Sequence, residues 1–309
     1  MKDLTVIMPF LNESMEPINT INSIRETSKD IEIIAIDDCS AKQFRPKIKS
    51  EKGLTCIRNK KRLGVGASRQ LGVQLAKTEN ILIIDAHMRF NNGWSEKMVD
   101  LLNENVRCIY CTTCLSLGYG NMDLKKAKSR YYGATLQVFN KDANPDRPAR
   151  DILEAKWIPK KKDGTYEIPC VLGANYFFTK TWFNHIGGFN GLRLWGSSEP
   201  FLSMKSYLAG GSCQITTDIE IGHQFRDRAP YTTLVSNLVY NKLFIMETLF
   251  PKELQNAVEP LMPNTRSFRK AKDEVKKAQE EIQKQRNYYL SHFNTGVYDY
   301  FDRFHIETP

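Results

Sequence analysis

Ile81-Leu82-Ile83-Ile84-Asp85-Ala86-His87 is a run of four aliphatic residues stopped by an acid, a small residue and a histidine. An apolar run this short has the length of a buried strand. One residue separates Asp85 from His87, so on extended backbone both side chains leave on the same side. A carboxylate and an imidazole so placed can share one divalent ion, and manganese accepts mixed oxygen and nitrogen donors. The local alternative is that Asp85 caps the next helix and His87 is simply exposed.

Upstream, similar runs recur in alternation with helical spacing. Leu4–Phe10 is an apolar run with Pro9 near its end. Asn12–Thr27 carries Ile18, Ile21 and Ile24 at helical spacing, and Ile31–Ile36 is a second strand closed by Asp37-Asp38-Cys39-Ser40. Leu54–Arg58 reads as a third strand, Val65–Ala76 as a helix and Asn80–Ile84 as a fourth strand. This alternation of strands and helices, β-α-β-β-α-β, predicts a parallel, doubly wound α/β sheet. Ligands of such sheets bind beyond the carboxyl ends of the strands. Asp37 and Asp38 lie at one such end, where acids accept hydrogen bonds from a ribose hydroxyl or a base N–H, or else cap a turn. Arg62 and Arg69, with Gly64 and Gly66, open the helix Val65–Ala76. Basic groups beside a helix N-terminus suit phosphate, surface charge being the alternative. No Gly-x-Gly-x-x-Gly follows the first strand and no Walker-type lysine loop occurs, which argues against a dinucleotide dehydrogenase and a P-loop kinase.

Downstream, Ile219-Glu220-Ile221-Gly222-His223-Gln224-Phe225-Arg226 is another strand-like segment ending in a histidine. Metal sites collect ligands from distant segments, so His223 is a candidate third ligand. Trp195-Gly196-Ser197-Ser198-Glu199 presents a carboxylate after an aromatic and a small-residue turn. It can serve a sugar or an acceptor hydroxyl, and Ser198 can also cap a helix over Phe201–Ala209. Cys108, Cys111 and Cys114 lie in the β-like run Arg107–Leu117, where side chains three apart point to opposite faces, so a metal cluster is not expected. Lys141–Arg150 and Trp157–Gly164 read as loops. Ser267–Phe293 is helical and highly charged. Its Val275, Ile282 and Tyr289 recur every seven residues, which suits a helix packed on the body or a short dimer seam.

The 309 residues allow one large α/β domain with an appendage, and 41% apolar content supplies a core. A net charge of +9 implies a cationic face suited to nucleotides or an anionic polymer. No apolar run approaches the ~20 residues of a membrane span. Met1–Phe10 lacks signal-peptide character, and the seven cysteines are expected reduced, so the chain reads as cytosolic.

Taken together, these segments resemble nucleotide-diphospho-sugar transferases of the GT-A fold, and within them the polypeptide N-acetylgalactosaminyltransferase branch. The resemblance is carried by Thr5–Glu13 as the opening strand, by Glu32–Ser40 and by Asp85-Ala86-His87 as an Asp-x-His motif. Asn92-Gly93-Trp94, Gly187-Gly188-Phe189, Trp195–Glu199 and Gly222–Arg226 extend it over roughly residues 4–231. It implies a mixed doubly wound sheet, a catalytic domain over 1–235 and a helical extension over 236–309. It implies that Asp85, His87 and His223 hold manganese or magnesium. It places Thr5, Asp37 and Arg69 near the uridine and phosphates of a UDP-sugar, with Pro9, Glu13, Asp38, Arg62, Trp195 and Arg226 completing that site. Asp85 and Glu199 are the expected catalytic residues. The sequence departs where Ser197 and Ser198 replace a glycine pair, and at Ala67 where an arginine is common. Pro200 stands where many inverting relatives have an aspartate base, which makes retention of anomeric configuration the expectation.

Three acceptors compete. The +9 charge and the basic segments Lys125–Arg130, Lys156–Lys162 and Arg266–Lys277 favour DNA carrying a hydroxymethylated base, as in phage modification systems. A surface glycan and a peptide hydroxyl are the others. A non-catalytic nucleic-acid-binding protein on a transferase fold is the reading outside enzymology, and the intact Asp85, His87 and His223 speak against it.

Overall fold

The four expected strands form. They are β1 (Leu4–Phe10), β2 (Glu32–Asp37), β3 (Leu54–Arg58) and β4 (Asn80–Ile84), all parallel in the order β3-β2-β1-β4. Every residue of β1, β2 and β4 is buried, which is why these runs are apolar throughout instead of alternating. Helices α1 (Glu16–Thr27) and α2 (Val65–Leu75) make two of the crossovers. Strand order reverses at β1, flanked by β2 and β4, and this is the switch point at which α/β sheets open a crevice. The computed structural model describes residues 3–118, 120–121, 123–139, 152–160, 162–226 and 228–309. The expected loop Lys141–Arg150 lies outside the described residues.

Past β4 the sheet becomes mixed. After β5 (Met88–Phe90) and α3 (Trp94–Glu104) come β6 (Cys108–Leu117) and β7 (Ser129–Tyr131). The pair β8 (Ala134–Gln137) and β9 (Glu154–Trp157) forms a separate small sheet, and β10 (Thr165–Glu167) follows at the far edge. Strand β11 (Asn175–Thr179) is antiparallel to both β4 and β6, and β12 (Ser212–Gln224) runs parallel to β6 and antiparallel to β5. Cys108, Cys111 and Cys114 are fully buried on β6, and burial pushes the thiols of Cys108 and Cys111 up to about 12. These are packing residues, not thiolate ligands.

Helices α4 (Lys180–His185) and α5 (Ser198–Leu208) precede β12, and beyond β12 the helices are α6 (Val235–Leu249), α7 (Lys252–Val258), α8 (Arg266–Lys277), α9 (Gln279–His292) and α10 (Val297–Arg303). A second apolar core forms here. It joins Phe201, Met204 and Leu208 of α5 to Phe244 of α6 and Tyr300 of α10. The expected single helix over Ser267–Phe293 is broken at Ala278 into α8 and α9. Val275, Ile282 and Tyr289 are buried in this second core. The heptad stripe therefore faces inward and is spent within the chain, which supports the reading of 267–293 as a helix packed on the body over that of a homodimer seam. Among the described residues no helix is long and apolar enough to cross a membrane.

Candidate active site

A cavity of about 740 Å³ opens at the carboxyl ends of β1 and β4. That volume is typical of small-molecule sites, roughly 300–1,000 Å³. At its floor three side chains from two strand ends converge. His87 Nε2 faces His223 Nε2 at 3.0 Å, and His223 Nε2 lies 3.4 Å from Asp85 Oδ2. One ligand atom of each of the three lies within 4.8 Å of the others. A divalent ion bound at about 2.1 Å sets neighbouring ligand atoms about 3 Å apart and opposite ones about 4.2 Å apart. A small inward shift suffices to bring the trio into one coordination sphere, and among the described residues no other cluster of three such groups forms.

The protonation states agree with that geometry. Burial, ahead of its neighbours, holds the His223 imidazole below the usual histidine range, which favours the neutral form that ligates metals. Burial pushes the Asp85 carboxyl up, but hydrogen bonding to His223 and the charges of Arg69 and His87 reverse this and hold it below the usual range. Glu13, itself buried, stands 3.3 Å from His87 Nδ1 and is ion-paired to Arg226. A carboxylate there favours the proton on Nδ1 and turns the Nε2 lone pair toward Asp85 and His223.

Arg69 organises the other wall. It is buried on α2 and commits both ends of its guanidinium to the protein. One end meets Ser198 Oγ at 3.2 Å and Glu199 Oε1 at 2.6 Å, the other Asp85 Oδ1 at 3.3 Å and the Gly173 carbonyl at 3.2 Å. Burial works against its charge, and Tyr176, Glu199 and Asp85 override that and raise its pKa. Ser198 Oγ donates to Glu199 Oε2 at 3.0 Å, so both carboxylate oxygens of Glu199 are engaged. The loop before α5 is clamped to the start of α2: Val65 N donates to the Leu194 carbonyl at 2.7 Å. Gly64 there has φ +98°, and a Cβ on it would come within 2.2 Å of Leu194 Cα, so no other residue fits.

Most expected residues line the cavity. Pro9, Glu13, Asp38, Arg62, Arg69, Trp195 and Glu199 line it together with the metal trio. Three expected donor contacts are corrected. Thr5 sits at the opposite end of β1, its hydroxyl bonded to Glu32 and Thr78. Asp37 is turned to Arg58 and the Ser40 amide. Arg226 lies behind Glu13 and acts on His87 through it. Asp38 reaches the cavity wall, but its carboxylate accepts from Asn59 and from the amides of Leu63 and Gly64, each at 2.8 Å. Arg69 is likewise a scaffold for two acids and not a free phosphate contact. No lysine or arginine of the three basic segments lines the cavity among the described residues. Sequence reasoning missed the aromatic wall. Trp157, Phe225 and Tyr231 line the cavity, and the Trp157 ring centroid is 6.2 Å from that of His223. Phe225 was within reach, since two residues after His223 it shares that histidine's face of an extended segment.

Residues 5–157 match the family described as Glycosyl transferase family 2. Those residues are a family 2 glycosyltransferase domain. Polypeptide N-acetylgalactosaminyltransferase 6 of Bos taurus is 26% identical over 240 residues, covering 74% of this chain and 38% of that protein. Polypeptide N-acetylgalactosaminyltransferase 3 of Taeniopygia guttata is 27% identical over 247 residues, with 74% and 38% covered. The chain thus spans well under half the length of these curated relatives. The crystal structure of GalNAc-T7 with UDP, GalNAc and Mn2+ superposes with a TM-score of 0.68 at 20% identity, covering 99% of this chain and 59% of that one. The shared fold is of GT-A type, with the family 2 domain supplying β1 to β9.

Proposed function

We propose that this chain is a metal-dependent glycosyltransferase that moves a sugar from a UDP-sugar to a hydroxyl of a polypeptide, with retention. The observation that carries the reading is the convergence of Asp85, His87 and His223 on one point at the floor of the switch-point cavity of a family 2 domain. These three residues would hold manganese or magnesium, whose charge offsets the negative charge that builds on the departing diphosphate. Glu13 and Arg226 keep His87 in the required tautomer. Arg62, at the cavity mouth, donates to the Thr232 carbonyl at 2.9 Å and stacks over Tyr231, which places a cation near the donor. Trp157, Phe225 and Trp195 exclude water beside the sugar.

A polypeptide acceptor is favoured by the names of the curated relatives and by this apolar, aromatic wall. A DNA acceptor has only net charge in its support, because among the described residues no lysine or arginine of the basic segments lines the cavity. Retention is favoured because both oxygens of Glu199 are already engaged, which leaves it poorly placed as a base for inversion.

The test is incubation with UDP-GalNAc, Ser/Thr peptides and hydroxymethylated DNA, with Mn2+ or with EDTA, and NMR of the product anomer. Mn2+-dependent transfer to peptide with retained configuration is expected. Transfer to DNA alone overturns the acceptor, an inverted product overturns the stereochemistry, and no Mn2+-dependent loss of any UDP-sugar overturns the whole reading.

A further inference from the structure

Lys205, in the last turn of α5, is fully buried and takes no part in the cavity. Its Nζ donates to the Gly188 carbonyl at 2.5 Å, lies 3.4 Å from Tyr289 Oη and sits 3.9 Å from the centre of the Phe201 ring. No carboxylate pairs with it among the described residues. Desolvation accordingly holds its pKa well below the ordinary lysine range. A buried ammonium bonded to neutral groups is costly, and an apolar side chain of the same length would pack there without that cost.

What it holds explains its presence. Gly188 lies in the turn after α4 with φ +50°, and a Cβ on it would come within 2.2 Å of Gln70 Oε1. The next amide, Phe189 N, donates to that same Gln70 oxygen at 2.9 Å. The turn is therefore gripped from two sides, by Lys205 of α5 and by Gln70 of α2. Gln70 adjoins Arg69, which crosses from α2 to Ser198 and Glu199 at the start of α5. The two helices are linked twice: at the cavity through Arg69, and behind it through Gln70, the turn and Lys205. Helix α9 closes the arrangement. Tyr289 Oη donates to Gln285 at 2.9 Å and stands 3.2 Å from where a Gly187 Cβ would lie.

We infer that Lys205 is a positioning residue for the sugar-transfer site, and that with Gln70 and Tyr289 it makes helix α9 a working part of the transferase scaffold. The bracket sets the spacing of α2 and α5, and through it the reach of Arg69 to Glu199 and Asp85. The activity arm of its test rests on the transferase reading; the exchange arm does not.

The experiment compares full-length Lys205→Met, Gln70→Ala and the double variant. Three quantities are read: melting temperature, amide hydrogen exchange at Phe189 and residues 198–201, and kcat for Mn2+-dependent hydrolysis of UDP-GalNAc. Lys205→Met is expected to keep or raise the melting temperature while speeding exchange at those amides and lowering kcat by about tenfold each, since small misplacements of a catalytic wall cost that much. The double variant is expected to be no slower than the slower single one, as one bracket is broken once. Wild-type exchange in Lys205→Met overturns the inference. So does a kcat loss that merely tracks a fall in melting temperature, or losses that multiply in the double variant. If the wild type hydrolyses nothing, the transferase reading fails while the exchange result still decides the bracket.

Discussion

Replacing Arg69 by methionine removes the one cation that serves both acids of the cavity wall. Its guanidinium is 4% exposed, 2.6 Å from Glu199 and 3.3 Å from Asp85. At an effective dielectric of about 20 those distances correspond to about 6 and about 5 kcal/mol of attraction. Several kcal/mol of that are offset by desolvating the ions. Breaking a buried pair by deleting one partner costs about 3–5 kcal/mol, because the other charge is left without compensation. Glu199 is 15% exposed and Asp85 30%, so water recovers part of the loss and the low end applies. The expected cost is about 3 kcal/mol at pH 7, read as a shift of the urea midpoint. Without Arg69, one of the charges that hold the Asp85 carboxyl below its usual range is gone, so its folded-state pKa rises. That part of the penalty is present above this carboxyl's titration and fades as pH falls through it. Adding Glu199→Gln should recover about half of it, since one orphaned charge is gone. A cost under about 1 kcal/mol, or one that neither Glu199→Gln nor acid relieves, would refute the reasoning.

Other consequences are open to measurement. His87→Ala and His223→Ala should each weaken Mn2+ binding in calorimetry by more than about 100-fold, because losing only a hydrogen-bond partner of a ligating residue already costs about 10–100-fold, with metal-free stability little changed. Unchanged affinity in either variant removes that ligand. The lowered pKa of Lys205 means the unfolded chain binds more protons, so this residue makes stability rise with pH between its lowered value and about 10.4. Buried tyrosines such as Tyr289, whose pKa is raised, act with the opposite sign above about pH 10. The stability difference between wild type and Lys205→Met should follow the lysine's rise, and a flat difference contradicts it. Ile282→Lys buries a charge in the second core and should cost more than about 3 kcal/mol in a monomer. A dimer that dissociates without losing stability would restore the seam.

The parallel half of the fold was legible because β1, β2 and β4 are buried on both faces and write themselves as continuous apolar runs. The mixed half was not, because β7 and β10 are three-residue strands whose partners are chosen by tertiary contacts. Asp85, His87 and Glu199 could be located from strand ends and a turn. What Asp37, Thr5 and Arg69 do could not, since each is decided by a partner far along the chain: Arg58, Thr78, and Ser198 with Glu199. Residue type announces that a group can bind an anion or accept a hydrogen bond. Only packing shows that a neighbour has already claimed it.

His223 shows how much of the site depends on a feature that no motif displays. On β12, Thr216 pairs with Thr112 of β6, whereas Glu220 already pairs with Thr113. Four steps on one strand match one on the other, and the surplus of three is odd. Side chains alternate faces with period two, so an odd surplus moves every later residue of β12 to the opposite face. His223 pairs with Ser116, which shares a face with Thr112, and so projects with Thr216; unbroken alternation across the seven intervening steps would have turned it away. Only in the shifted phase does it oppose Met88 of β5 and meet His87. Deleting the exposed Asp218 makes the surplus even. The expected result is a chain with near-native far-UV circular dichroism that no longer binds Mn2+, since Asp85 and His87 remain in place without their third ligand. Mn2+ binding at wild-type affinity in that chain would show that strand phase does not place His223.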